Sequence, residues 1–213
     1  MITVSDKTYH KIETPFARAV DGSKKLLDGV YRNEVFSVLK DIDWEFTEKI
    51  DGTNIRVIWD GHKVGFAGRT NNAQIPPHLL KYLEYTFCFD AVEEMFEQLF
   101  GDKEVIFFGE GYGVKIQKGG LYRPDVSFIL FDVCVNGVYL DRKAVEELAV
   151  AFNIECVPII LTGTMADAID YVKTKPISTI GTAPMEGLVG RPKVGLYDKH
   201  GNRVIVKIKA CDF

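Results

Sequence analysis

Trp44-Glu45-Phe46-Thr47-Glu48-Lys49-Ile50-Asp51-Gly52-Thr53-Asn54-Ile55-Arg56-Val57-Ile58-Trp59 places two runs of strand-forming residues on either side of Asp51-Gly52, with Lys49 at the end of the first run. Asp-Gly is a hairpin-turn dipeptide, and a second one, Asp60-Gly61, follows at once. The pattern predicts strands over 44–49, 54–59 and 63–67, joined as a three-stranded antiparallel meander. After Pro76-Pro77 the period becomes helical: Leu79, Leu80 and Leu83 share one face, and Val92, Met95, Phe96, Leu99 and Phe100 another, up to Gly101. Segments 105–108 and 127–135 read as strands separated by a glycine-rich loop. Asp141 and Thr164 are expected to cap helices running to Phe152 and Val172, and strands are expected over 187–189, 194–197 and 203–208. Helices mixed with antiparallel strands give an α+β class.

The chain has 213 residues, 46% of them hydrophobic and 26% charged, which suits an ordinary globular chain with a sizeable core and excludes disordered and fibrous classes. Neither a repeat nor a Pro/Ser-rich linker divides it, so 1–213 is expected to be a single domain. The longest largely apolar run, 126–135, falls well short of the ~20 residues of a membrane-spanning helix. No basic stretch followed by an apolar one opens the chain, so a cytoplasmic location is expected. Cys88, Cys134, Cys156 and Cys211 lack CxxC spacing and are expected as reduced thiols. His10, His62, His78 and His200 show no metal-binding spacing.

Formal net charge is −4, yet Arg191, Lys193, Lys199, Arg203, Lys207 and Lys209 are opposed only by Asp198 over 191–209. Such a segment suits a polyanion or a solvated charged hairpin. Lys49 is a candidate nucleophile, because a lysine held at a strand end attacks electrophiles once burial or neighbouring cations favour the neutral amine. Taken alone, Lys-x-Asp-Gly more often marks a surface hairpin, and further elements are needed.

Five further elements follow Lys49-x-Asp51-Gly52-Thr53-Asn54 in order: Gly68-Arg69-Thr70, Phe108-Gly109-Glu110-Gly111-Tyr112-Gly113, Phe128-x-x-Phe131-Asp132, Glu186-Gly187-Leu188-Val189 and Lys207-Ile208-Lys209. The series resembles motifs I, III, IIIa, IV and V of the covalent nucleotidyltransferases, together with the arginine element of the nick-sealing RNA ligases. The form Glu48-Lys49-x-Asp51-Gly52-Thr53-Asn54 is similar to RNA ligases rather than to capping enzymes or DNA ligases. The resemblance covers about three quarters of the chain.

It implies an α+β nucleotidyltransferase (adenylation) domain of ATP-grasp-like ligase type, with antiparallel sheets flanked by helices. It also implies an ATP-dependent RNA ligase joining 5′-phosphate and 3′-hydroxyl ends. Lys49 would attack the α-phosphorus of ATP and carry AMP; Lys207 and Lys209 would stabilise the phosphate charge, and both point to one face of a strand. Glu110 would accept from the ribose hydroxyls, Phe131 would stack on adenine, and Glu186, assisted by Asp132, would hold Mg²⁺ or Mn²⁺.

By the same resemblance Arg69 and Asn54 would contact the AMP side and the nucleic-acid end, and Asp51 would shape the sealing steps. Ile50 flanks the nucleotide in motif I. Glu48 suits adenine recognition through side chain or backbone, or a strand-exposed position. Lys115, Lys118 and Arg123 on a flexible loop, with Tyr122 as a stacking partner, suit RNA backbone contact, as does 9–18. Only Ala210 to Phe213 follow Lys209, so the expectation is a minimal, monomeric form without the appended C-terminal domain of better-known relatives, acting on RNA ends such as a nicked duplex in RNA repair. A capping-type guanylyltransferase, a DNA ligase and an inactive nucleic-acid-binding homologue are the alternatives.

Overall fold

β-branched and aromatic runs dominate the middle of the chain, and they pair into two separate sheets rather than one. The computed structural model describes residues 7–23 and 25–213. In chain order these form β1 (Phe16–Arg18), β2 (Leu26–Tyr31), α1 (Glu34–Leu39), β3 (Trp44–Lys49), β4 (Thr53–Trp59), β5 (Val64–Gly68), α2 (Pro77–Phe87), α3 (Asp90–Phe100), β6 (Val105–Gly113), β7 (Val126–Val135), β8 (Val138–Tyr139), α4 (Arg142–Ala151), β9 (Glu155–Cys156), β10 (Ile159–Gly163), α5 (Met165–Lys173), β11 (Gly187–Pro192) and β12 (Val206–Lys209). The α+β class with antiparallel sheets is the observed one. Two compact units divide the chain: residues 7–10 with 51–157, and residues 11–50 with 158–213.

In the first unit the strands run β5-β4-β6-β7-β8, all antiparallel, with β9 added parallel to β7. Alternation along β4 sends Ile55, Val57 and Trp59 to one face, where they pack with Phe107, Leu130 and Val133 under Leu79, Leu83 and Phe87 of α2, Phe96 of α3 and Val145 of α4. Phe96 stacks on Trp59 and meets Phe107 and Phe152. Each of these side chains contributes roughly 1.5–3 kcal/mol by leaving water. The three helices therefore cover one face of this sheet. The other face carries the even-numbered residues of β4 and β6, including Asn54, Arg56, Phe108 and Glu110.

In the second unit β10-β3-β11-β12 form an antiparallel sheet, beside the two-stranded β1–β2 pair. Trp44 and Phe46 of β3, Leu188 of β11, and Val206 and Ile208 of β12 are buried against Met165, Ala168, Ile169 and Val172 of α5. Thr164 and Asp167 close a reciprocal capping box at the start of α5, which fixes where that helix begins. Asp141 caps α4 with a single bond, its side chain accepting from the Ala144 amide.

The three-stranded meander is not what forms. β4 and β5 make the expected hairpin, but β3 pairs with β10 and β11 and leaves that sheet altogether. Both edges of β4 are taken by β5 and β6, so Asp51-Gly52 links two sheets instead of turning a hairpin. A side chain at Gly52 would meet the Gly111 carbonyl oxygen at 2.3 Å, which explains a glycine there better than turn chemistry does. Segment 194–197 also departs from expectation, forming only the isolated Tyr197–Arg203 bridge. No helix among the described residues is long and apolar enough to cross a membrane.

Candidate active site

Lys49 ends β3, Glu186 immediately precedes β11, and Lys209 ends β12. Register brings them together: Gly187 of β11 lies opposite both Lys49 and Lys209, forming one rung across three strands. Residues directly opposite on neighbouring antiparallel strands share a face, so the two lysines flank a position without a side chain. Gly187 has φ +151°, and a Cβ there would meet the Ile208 carbonyl oxygen at 2.0 Å. The rung can close only around glycine.

The Glu186 carboxylate reaches both cations. Its Oε2 accepts from Lys49 Nζ at 2.6 Å and its Oε1 from Lys209 Nζ at 2.9 Å. The hydrogen bond to Glu186 raises the Lys209 ammonium above its ordinary range, against the opposing effect of burial, so this side chain stays charged at neutral pH. Lys207, two residues before Lys209, lies two rungs further on, opposite Val189 in register with Thr47, and on the same face.

Glu48 of β3 and Ile50, just past its end, flank Lys49 and are both buried. Glu48 is 1% exposed, not strand-exposed. Its Oε2 accepts from the Thr179 amide at 3.0 Å and from the Thr179 hydroxyl at 2.6 Å, while Oε1 is buried without a hydrogen-bond partner. Thr179 lies in the irregular segment before β11, and no local signal in the sequence marks it as this partner.

The first unit holds the remaining candidates. Asn54, Glu110 and Ile129 form one rung of its sheet on the face away from the helices. The Asn54 Oδ1 is buried without a hydrogen-bond partner, an acceptor for which the protein supplies no donor. Along β7 the register slips between the partners of Phe108 and Gly109: Asp132 faces Phe108, Leu130 faces Gly109, and Phe131 is the extra residue. Such a bulge re-aims a side chain. Phe131 stays half-buried outside the apolar cluster, edge-on to Tyr9 at 5.1 Å.

Asp132 lies beside it, fully buried, and accepts from the Tyr9 hydroxyl at 2.8 Å. A carboxylate enclosed in this way differs from the assisting metal ligand expected from sequence. Tyr9 is likewise a packing residue rather than a nucleic-acid contact; its ring also meets Phe108 at 5.1 Å. Arg18, at the end of the segment expected to touch RNA, pairs with Asp212.

Arg69 directly follows β5 and is exposed. Asp51, between the sheets in sequence, donates its amide to the Tyr122 hydroxyl at 3.3 Å. The 114–125 segment is folded rather than loose: Ile116 enters the core, Tyr122 is buried against Tyr112, and Arg123 is engaged by Asp125 and Glu155. That removes Tyr122 as a base-stacking residue and leaves Lys115 and Lys118 as its exposed cations.

Among the described residues no group of three or more His, Cys, Asp or Glu side chains could hold a metal ion. Glu186 offers two oxygen donors, and a Mg²⁺ ion bound through one carboxylate completes its shell with water and phosphate oxygens. The donor chemistry fits a metal that arrives with a nucleotide.

A family model described as RNA ligase matches residues 42–209. No curated protein matches the chain. Among solved structures, a mutant of Naegleria gruberi RNA ligase with ATP and Mn aligns with a TM-score of 0.62 and 18% identity, over 81% of this chain and 51% of that one. A second mutant with ATP and Mn gives 0.62 and 15%, over 97% and 61%. The same protein with PPi gives 0.61 and 18%, over 94% and 61%. The chain thus spans between half and three fifths of the length of these structures, and the likeness is one of fold.

Proposed function

This chain belongs to the RNA ligase family, whose model it matches over residues 42–209, and from that premise we propose that it is an ATP-dependent RNA ligase working through a lysyl-AMP intermediate. The observation that carries the reading is the Glu186 carboxylate shared by Lys49 and Lys209 on a single rung. A purely binding protein has no physical need to hold a strand-end lysine against a second cation through one carboxylate.

In the proposed first step the Lys49 Nζ, having lost a proton, attacks the α-phosphorus of ATP. The phosphorus–nitrogen bond forms as the bond to pyrophosphate breaks. Lys209 and Lys207 face the phosphate oxygens where charge accumulates, fixed by their strand and in need of little reorganisation. Glu186 orients Lys49 beforehand and is the residue that would hold a divalent ion. That ion would supply charge neutralisation on the phosphates.

Phe131 takes the adenine face, Glu110 accepts from the ribose hydroxyls, and the unpartnered Asn54 Oδ1 accepts from a sugar hydroxyl. Arg69, Lys115 and Lys118, all exposed cations, contact RNA phosphates, and Asp51 orients the ends during sealing. Glu48 and Ile50 anchor the end of β3 and so hold Lys49 in place. In this reading residues 1–213 make up a single nucleotidyltransferase domain.

AMP then passes to the 5′-phosphate, and a 3′-hydroxyl displaces it. The test is joining of a nicked RNA duplex carrying a 5′-phosphate at the nick: sealed product with ATP and Mg²⁺, and none with GTP, is expected. Sealing with GTP alone, or of DNA in preference to RNA, contradicts the reading.

Phe131→Ala should weaken ATP binding by about tenfold, the loss of one stacked base at ~1–3 kcal/mol. Because Phe131 lies outside the core cluster, melting should move by no more than a few degrees. Unchanged ATP affinity in a calorimetric titration would assign Phe131 to packing alone.

A further inference from the structure

β11 leaves the Lys49 rung at Gly187, and β12 returns to it at Lys209. Between them, residues 193–203 form a hairpin at the far end of these strands. It is a built element: Tyr197 bridges Arg203, the Val204 amide donates to Leu196, and Asp198 and Asn202 pair across the turn. Asp198, its one acid, is spent on the turn itself, accepting from the His200 and Asn202 amides and from Asn202 Nδ2.

Two of its cations, the lysines, are not spent in this way. Lys193 and Lys199 are exposed and form no ion pair among the described residues, whereas Arg18, Arg32, Arg123 and Arg142 each meet a carboxylate. Val194 and Tyr197 are exposed beside them, at 72% and 61%. An exposed aromatic ring costs a monomer apolar contact with water, and next to unneutralised lysines it matches what single strands and duplex ends present: phosphates and base faces. In a chain of net charge −4 this is a local feature, not a general basicity.

We propose that the 193–203 hairpin is an RNA-contact element, with Lys193 and Lys199 on backbone phosphates and Tyr197 stacked on a base. The identity of the polyanion rests on the ligase reading; the contact chemistry does not. Five residue steps separate Gly187 from Pro192, about 17 Å at ~3.4 Å each. The contacted phosphates therefore lie about 17 Å or more from the joining point, beyond a short duplex arm.

The test is fluorescence anisotropy of a labelled nicked RNA duplex with a single-stranded tail on each arm, over a salt series, without ATP. The double variant Lys193→Ala/Lys199→Ala should bind about tenfold or more weakly at ~0.1 M salt, with the slope of log affinity against log salt reduced by about 1.8. Tyr197→Ala should weaken binding about fivefold or more and leave the slope unchanged. With duplex arms of about four base pairs on each side of the nick, wild type and double variant should bind alike.

Affinity and slope equal to wild type in both variants would overturn the proposal, as would a wild-type protein that binds no RNA. Losses confined to phosphatidylserine vesicles would transfer the hairpin to a membrane surface and also overturn it. A protein that binds RNA through the hairpin but takes no AMP from ATP would sink the ligase reading and leave the hairpin standing. Adenylylation with hairpin-independent RNA binding would do the reverse.

Discussion

Lys49→Ala is expected to lose AMP attachment and RNA sealing to below detection, because the other amine on the rung, Lys209, is held protonated by its hydrogen bond to Glu186. Stability should change little. The Lys49–Glu186 pair is partly exposed, at 25% and 17% for the two side chains, and Glu186 keeps Lys209 as a partner at 2.9 Å when Lys49 is removed. A pair of this kind contributes on the order of 1 kcal/mol or less, so melting should shift by no more than a few degrees. Lys49→Arg sharpens the test. It preserves the cation opposite Glu186 yet presents a guanidinium that stays protonated and does not attack phosphorus. The arginine variant should therefore melt like the wild type and be as inactive as the alanine variant. Retained AMP labelling in either variant would remove Lys49 as the nucleophile.

Gly187→Val should damage both fold and chemistry. Its Cβ would fall 2.0 Å from the Ile208 carbonyl oxygen and 2.8 Å from Lys209 Cα, and φ +151° disfavours any side chain, β-branched ones most. Backbone atoms on both sides leave relief only by separating β12 from β11, which moves Lys209 away from Glu186. A cost of about 3 kcal/mol or more follows, or roughly 6–12 °C of melting temperature for a chain of this size. Gly195→Ala is the control, since nothing lies within 4 Å of a Cβ there, and its melting should stay within about a degree or two. A Gly187→Val protein that melts with the wild type and takes up AMP normally would show that the rung tolerates a side chain.

Local signals were the legible part of the fold. Asp141 and Thr164 start their helices as capping chemistry predicts, and α2 and α3 follow the apolar period of 79–83 and 92–100. What could not be read was which strands pair. β3 and β4 alternate equally well and are joined by Asp-Gly, a hairpin signal, yet β3 finds its partners more than a hundred residues later in β10 and β11. No property of 44–59 encodes that choice, because it depends on the edges offered by distant segments.

The candidate site shows the same division. The order of motifs named Lys49, Glu186 and Lys209, but their common rung is a property of register. The bulge at Phe131 explains why that ring escapes the core while its neighbour Asp132 is buried against Tyr9, and a bulge leaves no mark in the sequence. Tyr122 and Arg123 looked available for RNA because loop composition is polar; packing on Tyr112 and pairing with Glu155 consume them. Thr179 carries no local mark of its role, because only the folded chain brings its amide and hydroxyl to the Glu48 carboxylate.

The most direct measurement is the intact mass of the purified protein before and after incubation with ATP and Mg²⁺, alongside GTP and alongside Lys49→Ala, after pyrophosphate treatment to discharge any AMP already attached. A gain of one AMP with ATP only, absent in the variant, is expected. No gain with ATP from the discharged wild-type protein, or an equal gain in Lys49→Ala, would contradict the lysyl-AMP reading.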